Sequence, residues 1–539
     1  MRSMTTSNSV VRQAKVTARS AKPLRRFGGG TMLCVVALSV ADMKPLREQM
    51  ERRREIHATE TPREIKQELG QYFTPGHIAD FMASLFPKPE RAGEEVRILD
   101  PGAGMGILSC ALMERIAAEK WDVGGVGVDA FEIDCSLLDQ LRANLDKDAS
   151  VLRGVSNVIS NDFLSSVAHD EQNGVPPKYT HVIMNPPYKK IRAESAERKA
   201  ARAMGLETVN LYTAFMGAAI AATVDGGHIV AIVPRSFCNG LYYKAFRDFM
   251  LDRCAVERIH LFDSRDTAFK DESVLQENII IMLEKGGRQG SVVVSHSADG
   301  SLAGIKTKTF PFGAIVAEGD GERYINIPSF EEDADAERML AKCGKTLNEL
   351  GLQVSTGAVV DFRVADFLCK NPKDDTVPLL YPVHFRNHRV CWPVDSKRPN
   401  ALKKCVDTEK LTLPRGYYVV VKRFSAKEEK RRIVASLVAP SDFSATHIAF
   451  ENHLNVFMQG KSGLDRDVAH GLLVWLNTTA VDKRFRLFSG HTQVNATDLR
   501  NLPFPSVDGL KKMGVKLEGT KEWSQEVFDS IAKEVSDAE

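Results

Sequence analysis

A chain of 539 residues is too long for one ordinary domain, and 43 % hydrophobic with 26 % charged residues is a folded globular composition, neither disordered nor fibrous. The net charge of +2 conceals an uneven spread: residues 361–440 hold 17 Lys and Arg against 9 Asp and Glu, a surplus of 8 that leaves −6 for the rest. A basic segment on a mildly acidic body fits a polyanion-binding module, or else a solvated basic surface. The nine cysteines form no CxxC pair and no Cys/His set at zinc spacing. No metal site is therefore expected, and the thiols are expected to be reduced, as in a cytoplasmic protein.

In chain order, residues 1–42 carry Arg and Lys as far as Arg26 and then a short apolar run, TMLCVVALSVA. That run superficially resembles a secretory signal but falls well short of the roughly 20 residues a spanning helix needs, so residues 1–42 are expected to be a disordered leader or a mis-called start, and no membrane segment is expected. Residues 43–69 are charged and helix-forming, with a helix start at Thr61-Pro62. GQYFTPGHIADFMASLF then reads as a turn entering an amphipathic helix, with Thr74 as its cap and Pro75 after it. Between residues 96 and 285, VRILD, VGGVGVDAFEI, YTHVIMN, GHIVAIVP, VERIHLF and ENIIIMLE read as strands, and helical patterns such as GILSCALMERIAAE and LYTAFMGAAIAATV separate several of them. That rhythm predicts an α/β domain with a mainly parallel sheet and a ligand site outside the carboxyl ends of its strands. Past residue 345 the rhythm stops. The sequence becomes irregular, Pro-rich and basic, with short strand candidates GYYVVVKRF and IVASLVA and a last helical stretch, EWSQEVFDSIAKEV.

ILDPGAGMGILSCAL puts Asp100, Gly102, Gly104 and Gly106 between a strand and a helix, where glycines let the backbone turn tightly and approach a ligand. A glycine turn alone serves equally well as a structural turn; the acidic residues at the next strand ends give it meaning. The second strand ends in AFEID, so Glu132 is placed to accept hydrogen bonds from two ribose hydroxyls. It lies 32 residues after Asp100, beyond the roughly 20 of the dinucleotide fingerprint, which disfavours a nicotinamide enzyme. Asp129 and Asp134 compete for the role, Asp134 with a cap of the following helix as its alternative. In SNDFL, Asp162 can accept from an adenine amino group while Phe163 packs on the ring.

The sharpest signal is YTHVIMNPPYKK, in which a buried strand delivers Asn185-Pro186-Pro187-Tyr188 to the carboxyl edge. Two prolines fix φ and remove donors, so the Asn185 side-chain oxygen and the Pro186 carbonyl can face one ligand as acceptors. An aromatic amine is a poor nucleophile because its lone pair is delocalised. Two acceptors holding its two hydrogens favour a pyramidal nitrogen, which is catalysis by positioning and electrostatics. Tyr188 supplies a face for the base to stack on.

These motifs, in this order, resemble the gamma class of N6-adenine DNA methyltransferases found in type II restriction–modification systems. The resemblance covers roughly residues 68–285, and the carboxyl-terminal third more loosely. It implies a Rossmann-like fold dependent on S-adenosylmethionine, with a mainly parallel seven-stranded sheet and a mixed α/β target-recognition domain behind it. The implied domains are a catalytic domain over residues 43–345, target recognition over 346–510 and a helical tail over 511–539. It implies that Gln71, Tyr72, Phe73, Thr74 and Pro75 cover the methionine end of the cofactor, and that Asp100, Gly102 and Gly104 line its methionine and sugar side. Glu132 would hold its ribose, Ile133 would pack on its adenine and Asp162 would bind that ring's amino group. Asn185, Pro186 and Tyr188 would grip the target base, with Phe269 as a second aromatic contact or, alternatively, a core phenylalanine.

Asn-Pro-Pro-Tyr also occurs in enzymes that methylate a glutamine amide or a ribosomal-RNA guanine. Here the GQYFTP segment comes first, and roughly 190 residues, including the basic segment, follow the catalytic domain. Double-stranded DNA is therefore the expected partner, its target base flipped out of the helix. Arg386, His388, Arg389, Lys403, Lys404, Lys422, Arg423, Arg431 and Arg432 are the candidate contacts, most of them to phosphate. Three further readings stay open at this point: N4-cytosine methylation, a fused restriction-and-modification enzyme, and a DNA-binding component with a vestigial methylase fold. The expected setting is a separately encoded cognate endonuclease.

Overall fold

The computed structural model describes residues 50–52, 73–262, 277–328, 338–340, 342–425, 429–488 and 493–538. The expected helix start at Thr61-Pro62, together with Gln71, Tyr72 and Phe269, lies outside them.

Nine strands build the first sheet: β1 (Glu94–Pro101), β2 (Val123–Phe131), β3 (Val155–Ile159), β4 (Tyr179–Met184), β5 (Thr223–Pro234), β6 (Cys254–Phe262), β7 (Asn278–Lys285), β8 (Val292–Ser297) and β9 (Lys306–Phe310). Their spatial order is β3-β2-β1-β4-β5-β7-β6-β8-β9. The expected seven strands are present and two more extend the edge. β1 to β5 pair in parallel, whereas β7 runs antiparallel between β5 and β6. The order in which strands are added reverses between β1 and β4, and such a switch point leaves a crevice at the carboxyl edge.

Side chains alternate across the sheet because successive Cβ atoms point to opposite faces. Val182 and Met184 join one core, with α4 (Phe163–Gln172), α6 (Leu211–Ala222) and α7 (Lys244–Leu251). Ile183 joins the other, with α1 (Gly76–Ser84), α2 (Ile107–Ala118) and α3 (Leu138–Val151). Both faces are covered, which is why the central strands read as continuous apolar runs. A short helix, α5 (Ala196–Ala203), follows the Asn-Pro-Pro-Tyr turn and packs with α4 and α6.

The carboxyl-terminal body is mixed. A four-stranded sheet, β10-β20-β17-β18, joins Gln353–Thr356, Leu454–Met458, Tyr418–Lys422 and Ala435–Val438. A five-stranded sheet, β11-β15-β12-β19-β16, joins Leu368–Cys369, Ala401–Lys403, Thr376–Leu380, His447–Phe450 and Thr412–Pro414. A hairpin pairs β13 (Phe385–Arg386) with β14 (Arg389–Val390). Its two-residue loop, Asn387-His388, has positive φ at both positions, the geometry whose twist suits a tight hairpin. The four-stranded sheet shares a core with α8 (Arg466–Leu476), α9 (Thr479–Phe488), α10 (Ala496–Arg500), α11 (Val507–Glu518) and α12 (Gln525–Ala538).

The stretch expected as a helical tail is helical and packs into this core, where Leu517, Phe528 and Ala532 are buried. Reciprocal glycines let α8 and α11 touch. A Cβ on Gly471 would lie 1.8 Å from the Leu510 carbonyl oxygen, and one on Gly514 would lie 2.0 Å from that of Asp467. Backbone cannot step aside as a flexible side chain can. Among the described residues no helix is long and apolar enough to cross a membrane. Gly471→Ala or Gly514→Ala is expected to cost about 1–3 kcal/mol or more, as overpacking does, read as a lower urea midpoint. An unchanged midpoint would mean that α8 and α11 do not pack this closely.

Candidate active site

β1 pairs with β4 through Ile98 opposite His181 and Leu99 opposite Val182, which carries the glycine turn and the Asn-Pro-Pro-Tyr turn to the same edge. The glycine turn is anchored where the Gly102 and Ala103 amides donate to the Phe131 carbonyl at 2.9 and 2.8 Å. Gly104 has φ +57°, and a Cβ there would lie 2.9 Å from the Phe73 ring. Glycine thus lets the turn lie flat under the aromatic ring.

Glu132 stands just past β2, 6 % exposed, with one oxygen accepting from the Gly104 amide at 2.7 Å and the other from the Asp134 amide at 2.8 Å. Burial raises its pKa from the ordinary value. Each oxygen keeps a lone pair for a further donor. The competing acids are engaged elsewhere. Asp129 accepts from Lys178, Tyr179 and Asn157, and Asp134 holds the Ser136 amide and hydroxyl in the turn before α3.

One cleft gathers Phe73, Thr74, Gly102, Gly104, Glu132, Ile133, Asp162, Phe163, Asn185 and Pro187. Ile133 is 62 % exposed, a large apolar side chain left open to a ligand. Phe163 is buried, its ring 5.1 Å from Phe131 and 5.4 Å from Phe215. Asp162 caps α4 by accepting from the Ser165 amide at 2.7 Å.

Several expected positions need correction. Asp100 does not line the cleft; it is fully buried and accepts from the Ser109 hydroxyl at 2.7 Å. Thr74 does not cap α1, whose first amide, that of Gly76, donates to the Glu51 carboxylate at 3.1 Å; the Thr74 hydroxyl accepts from Asn185 Nδ2 at 3.1 Å. Pro75 precedes α1 and its carbonyl accepts from the Ile78 and Ala79 amides, outside the cleft. The Pro186 ring is buried and Pro187 lines the cleft beside it, so the role expected of Pro186 rests on its backbone carbonyl alone.

The Asn185 amide is held at both ends, since the Tyr188 hydroxyl lies 2.9 Å from its Oδ1 and 3.0 Å from the Ile232 carbonyl. Tyr188 faces a second, larger cleft of about 1140 Å³ between the sheet domain and the carboxyl-terminal body. That cleft contains residues that sequence reasoning missed. Asn210 donates to the Tyr243 hydroxyl at 2.6 Å, and Ser236 lies 2.9 Å from the Tyr212 hydroxyl. Phe215 and Glu197, also missed, line the smaller cleft. Neither α5 nor α6 carries a motif there; only the YT and AF spacing within LYTAF places Tyr212 and Phe215 on one helix.

The basic candidates divide. Arg386, Arg389, Lys403 and Lys404 are exposed, Lys422 and His388 are half-buried, and Arg423 lines the larger cleft. Arg389 stacks on Trp523 at 3.6 Å. Arg431 and Arg432 are corrected as DNA contacts because both turn inward. Arg431 donates to the Thr478 carbonyl at 3.0 Å and to Gln525, while Arg432 is 1 % exposed and lies over the Phe485 ring. The described cysteines are free, and no cluster of metal-ligating side chains occurs among the described residues.

A glycine turn and an amide-bearing turn sharing one cleft at the switch point define a Rossmann-like methyltransferase. The Eco57I restriction-modification methylase family matches residues 129–269. The chain is 44 % identical over 477 residues to the type II methyltransferase M.BsuBI of Bacillus subtilis, covering 87 % of this chain and 94 % of that one. It is 38 % identical over 476 residues to the type II methyltransferase M.PstI of Providencia stuartii, covering 87 % and 92 %. Among solved structures it is similar to the DrdV–DNA complex, with 14 % identity, a TM-score of 0.49, and 89 % of this chain and 59 % of that one covered. The chain belongs to the type II methyltransferases of restriction–modification systems, and it is a site-specific DNA methyltransferase.

Burial pushes the Asp100 carboxyl up to about 7 from its usual 3.8. The native state therefore holds a proton that the unfolded chain has already released, and stability falls as pH rises from about 4 to 7. Between pH 5 and 8 this group is expected to cost the wild type about 2–3 kcal/mol. Asp100→Asn keeps an acceptor for Ser109 and should lack that loss in urea titrations at the two pH values. Equal losses in both proteins would show that Asp100 is ionised throughout.

Proposed function

We propose that the chain transfers the methyl group of S-adenosylmethionine to N6 of an adenine flipped out of a short duplex site. The observation that carries this reading is the position of the Asn185 amide, which lines the glycine-turn cleft while Tyr188 of the same turn lines the larger one. The donors suit the cofactor. Glu132 offers two lone pairs to ribose hydroxyls, Ile133 and Phe163 flank a ring, and Asp162 offers an acceptor to its amine. Backbone from Gly102 to Gly104 and the side chains of Phe73 and Thr74 enclose the remaining end. When bound, S-adenosylmethionine supplies an electrophilic sulfonium methyl.

The chain's own work is positioning. Thr74 holds Asn185 Nδ2, so the amide cannot rotate and its Oδ1 stays presented as an acceptor. With the Pro186 carbonyl as second acceptor, both amine hydrogens are held and the nitrogen lone pair is freed towards the methyl group. Tyr188 orders the Asn185 oxygen through its hydroxyl and offers its ring to the base. The larger cleft gives an extruded base somewhere to go, closed by Thr356, Arg423 and Asn495 of the carboxyl-terminal body. Arg386, Lys403 and Lys404 form the exposed basic side that would meet phosphate. The chain would be the modification half of a restriction–modification system, working beside a separately encoded endonuclease.

The same amine chemistry would serve cytosine N4, and nucleoside analysis separates the two. Mapping modified bases in the genome of a strain expressing the chain should reveal N6-methyladenine at one short sequence; N4-methylcytosine there would replace the adenine reading. With labelled cofactor and that duplex, Asn185→Ala is expected to lose roughly 100-fold or more in kcat, as loss of one preorganised polar group does, while still binding cofactor. Transfer at the wild-type rate would remove Asn185 from the chemistry. Duplex affinity should fall roughly tenfold or more between about 50 and 200 mM salt by counterion release. A flat response would exclude the basic side as the DNA-binding face.

A further inference from the structure

β5 ends at Pro234, and a short 3-10 turn, Arg235–Cys238, then delivers Asn239 into the wall of the larger cleft. Asn239 is 6 % exposed, and among the described residues neither its Oδ1 nor its Nδ2 has a hydrogen-bond partner. Buried carboxamides are almost always satisfied, since water serves them in the unfolded chain. An amide left with both ends unmade, at the edge of a cleft, is a group waiting for a ligand.

The surroundings say which kind. Tyr188, Tyr212 and Tyr243 line the same cleft, with ring centroids 6.2 Å apart for the first pair and 6.0 Å for the second. The hydroxyls of Tyr212 and Tyr243 are tied to Ser236 and Asn210, so these rings are fixed. Gly240 keeps the turn tight. A Cβ there would lie 2.6 Å from the Tyr243 ring and 3.0 Å from the Ser236 carbonyl. An aromatic wall with one unsatisfied amide suits a planar heterocycle that stacks on its face and hydrogen-bonds along its edge.

We propose that Asn239 Nδ2 donates to a ring nitrogen flanking the amino group of the flipped adenine, making Asn239 a base-selecting contact. This rests on the adenine reading above. There the two amine hydrogens are committed to Asn185 and Pro186, which leaves the ring acceptors N1 and N7 beside them. Because nothing among the described residues fixes the Asn239 amide, it selects adenine together with Asn185 and Pro186, whose acceptors would oppose the carbonyl that guanine and thymine carry in place of the amino group.

The test uses the full chain, the mapped duplex, and the same duplex with 1-deazaadenine or 7-deazaadenine at the target position. Asn239→Leu is expected to be at least as thermostable as wild type, because it removes an unsatisfied buried amide. It should lower kcat/KM on adenine by roughly 10- to 100-fold. Wild type should lose a similar factor on one of the two deaza substrates, and Asn239→Leu should be indifferent to that change, the signature of a direct contact. Wild-type kcat/KM in Asn239→Leu would overturn the assignment. So would additive losses on both deaza substrates, or a marked drop in thermal stability, which would show a structural amide. A wild-type protein that methylates cytosine but not adenine overturns the adenine reading itself, a result visible before any variant is made.

Discussion

The parallel pairing of β1 with β4 is the constraint on which the site depends. Two strands far apart in sequence end side by side because the order of strands reverses between them. One then releases a glycine turn and the other an Asn-Pro-Pro-Tyr turn at the same height. Neither turn does chemistry alone: the first makes a place for a ligand, and the second holds a polar amide beside it. The apolar alternation that buries Val182 and Met184 on one face and Ile183 on the other fixes β4 in register. A slip of one residue would turn each of them to the wrong face.

The Asn185 amide joins two clefts of different character. Its nitrogen is bound to Thr74, from the segment that covers the smaller cleft, and its oxygen to Tyr188, which opens on the larger. Orientation of an amide is otherwise nearly free, so two partners convert a rotor into a fixed acceptor. Polar groups fixed before the substrate arrives need no reorganisation during the reaction. The ring of Phe73 lying against Gly104 ties the same covering segment to the glycine turn. Cover, turn and amide thus constrain one another through three contacts.

Charge counting along the basic segment overstates the surface it makes. Arg431 and Arg432 contribute two of its positive charges, yet both are spent inside the carboxyl-terminal body. There a guanidinium can join several backbone and side-chain acceptors at once. Arg389 lies over Trp523 near the start of the last helix, so part of its surface is also covered. Of the candidate contacts, Arg386, Lys403 and Lys404 are exposed, placed by a tight hairpin and a short strand end. The carboxyl-terminal helices that bury this region are as much part of it as its strands.

The sequence alone determined the alternation of strands and helices, the glycine turn, Glu132 and the Asn-Pro-Pro-Tyr turn. Each is a local pattern whose physics acts within a few residues: apolar periodicity, backbone freedom at glycine, rigidity at proline. The tertiary structure alone decided which of those residues line the cleft. Asp100 sits next to the glycine turn in sequence but lies beneath it in space, while Thr74 leaves its helix to hold Asn185. Tyr212, Phe215, Tyr243 and Asn239 come together only because α6 and the turn after β5 pack against the sheet edge, contacts between segments that carry no mark in sequence. The direction of Arg431 and Arg432, and the place of residues 511–538 in a shared core, likewise depend on partners tens of residues away. A side chain's chemistry is written locally, but its burial is a property of everything that folds around it.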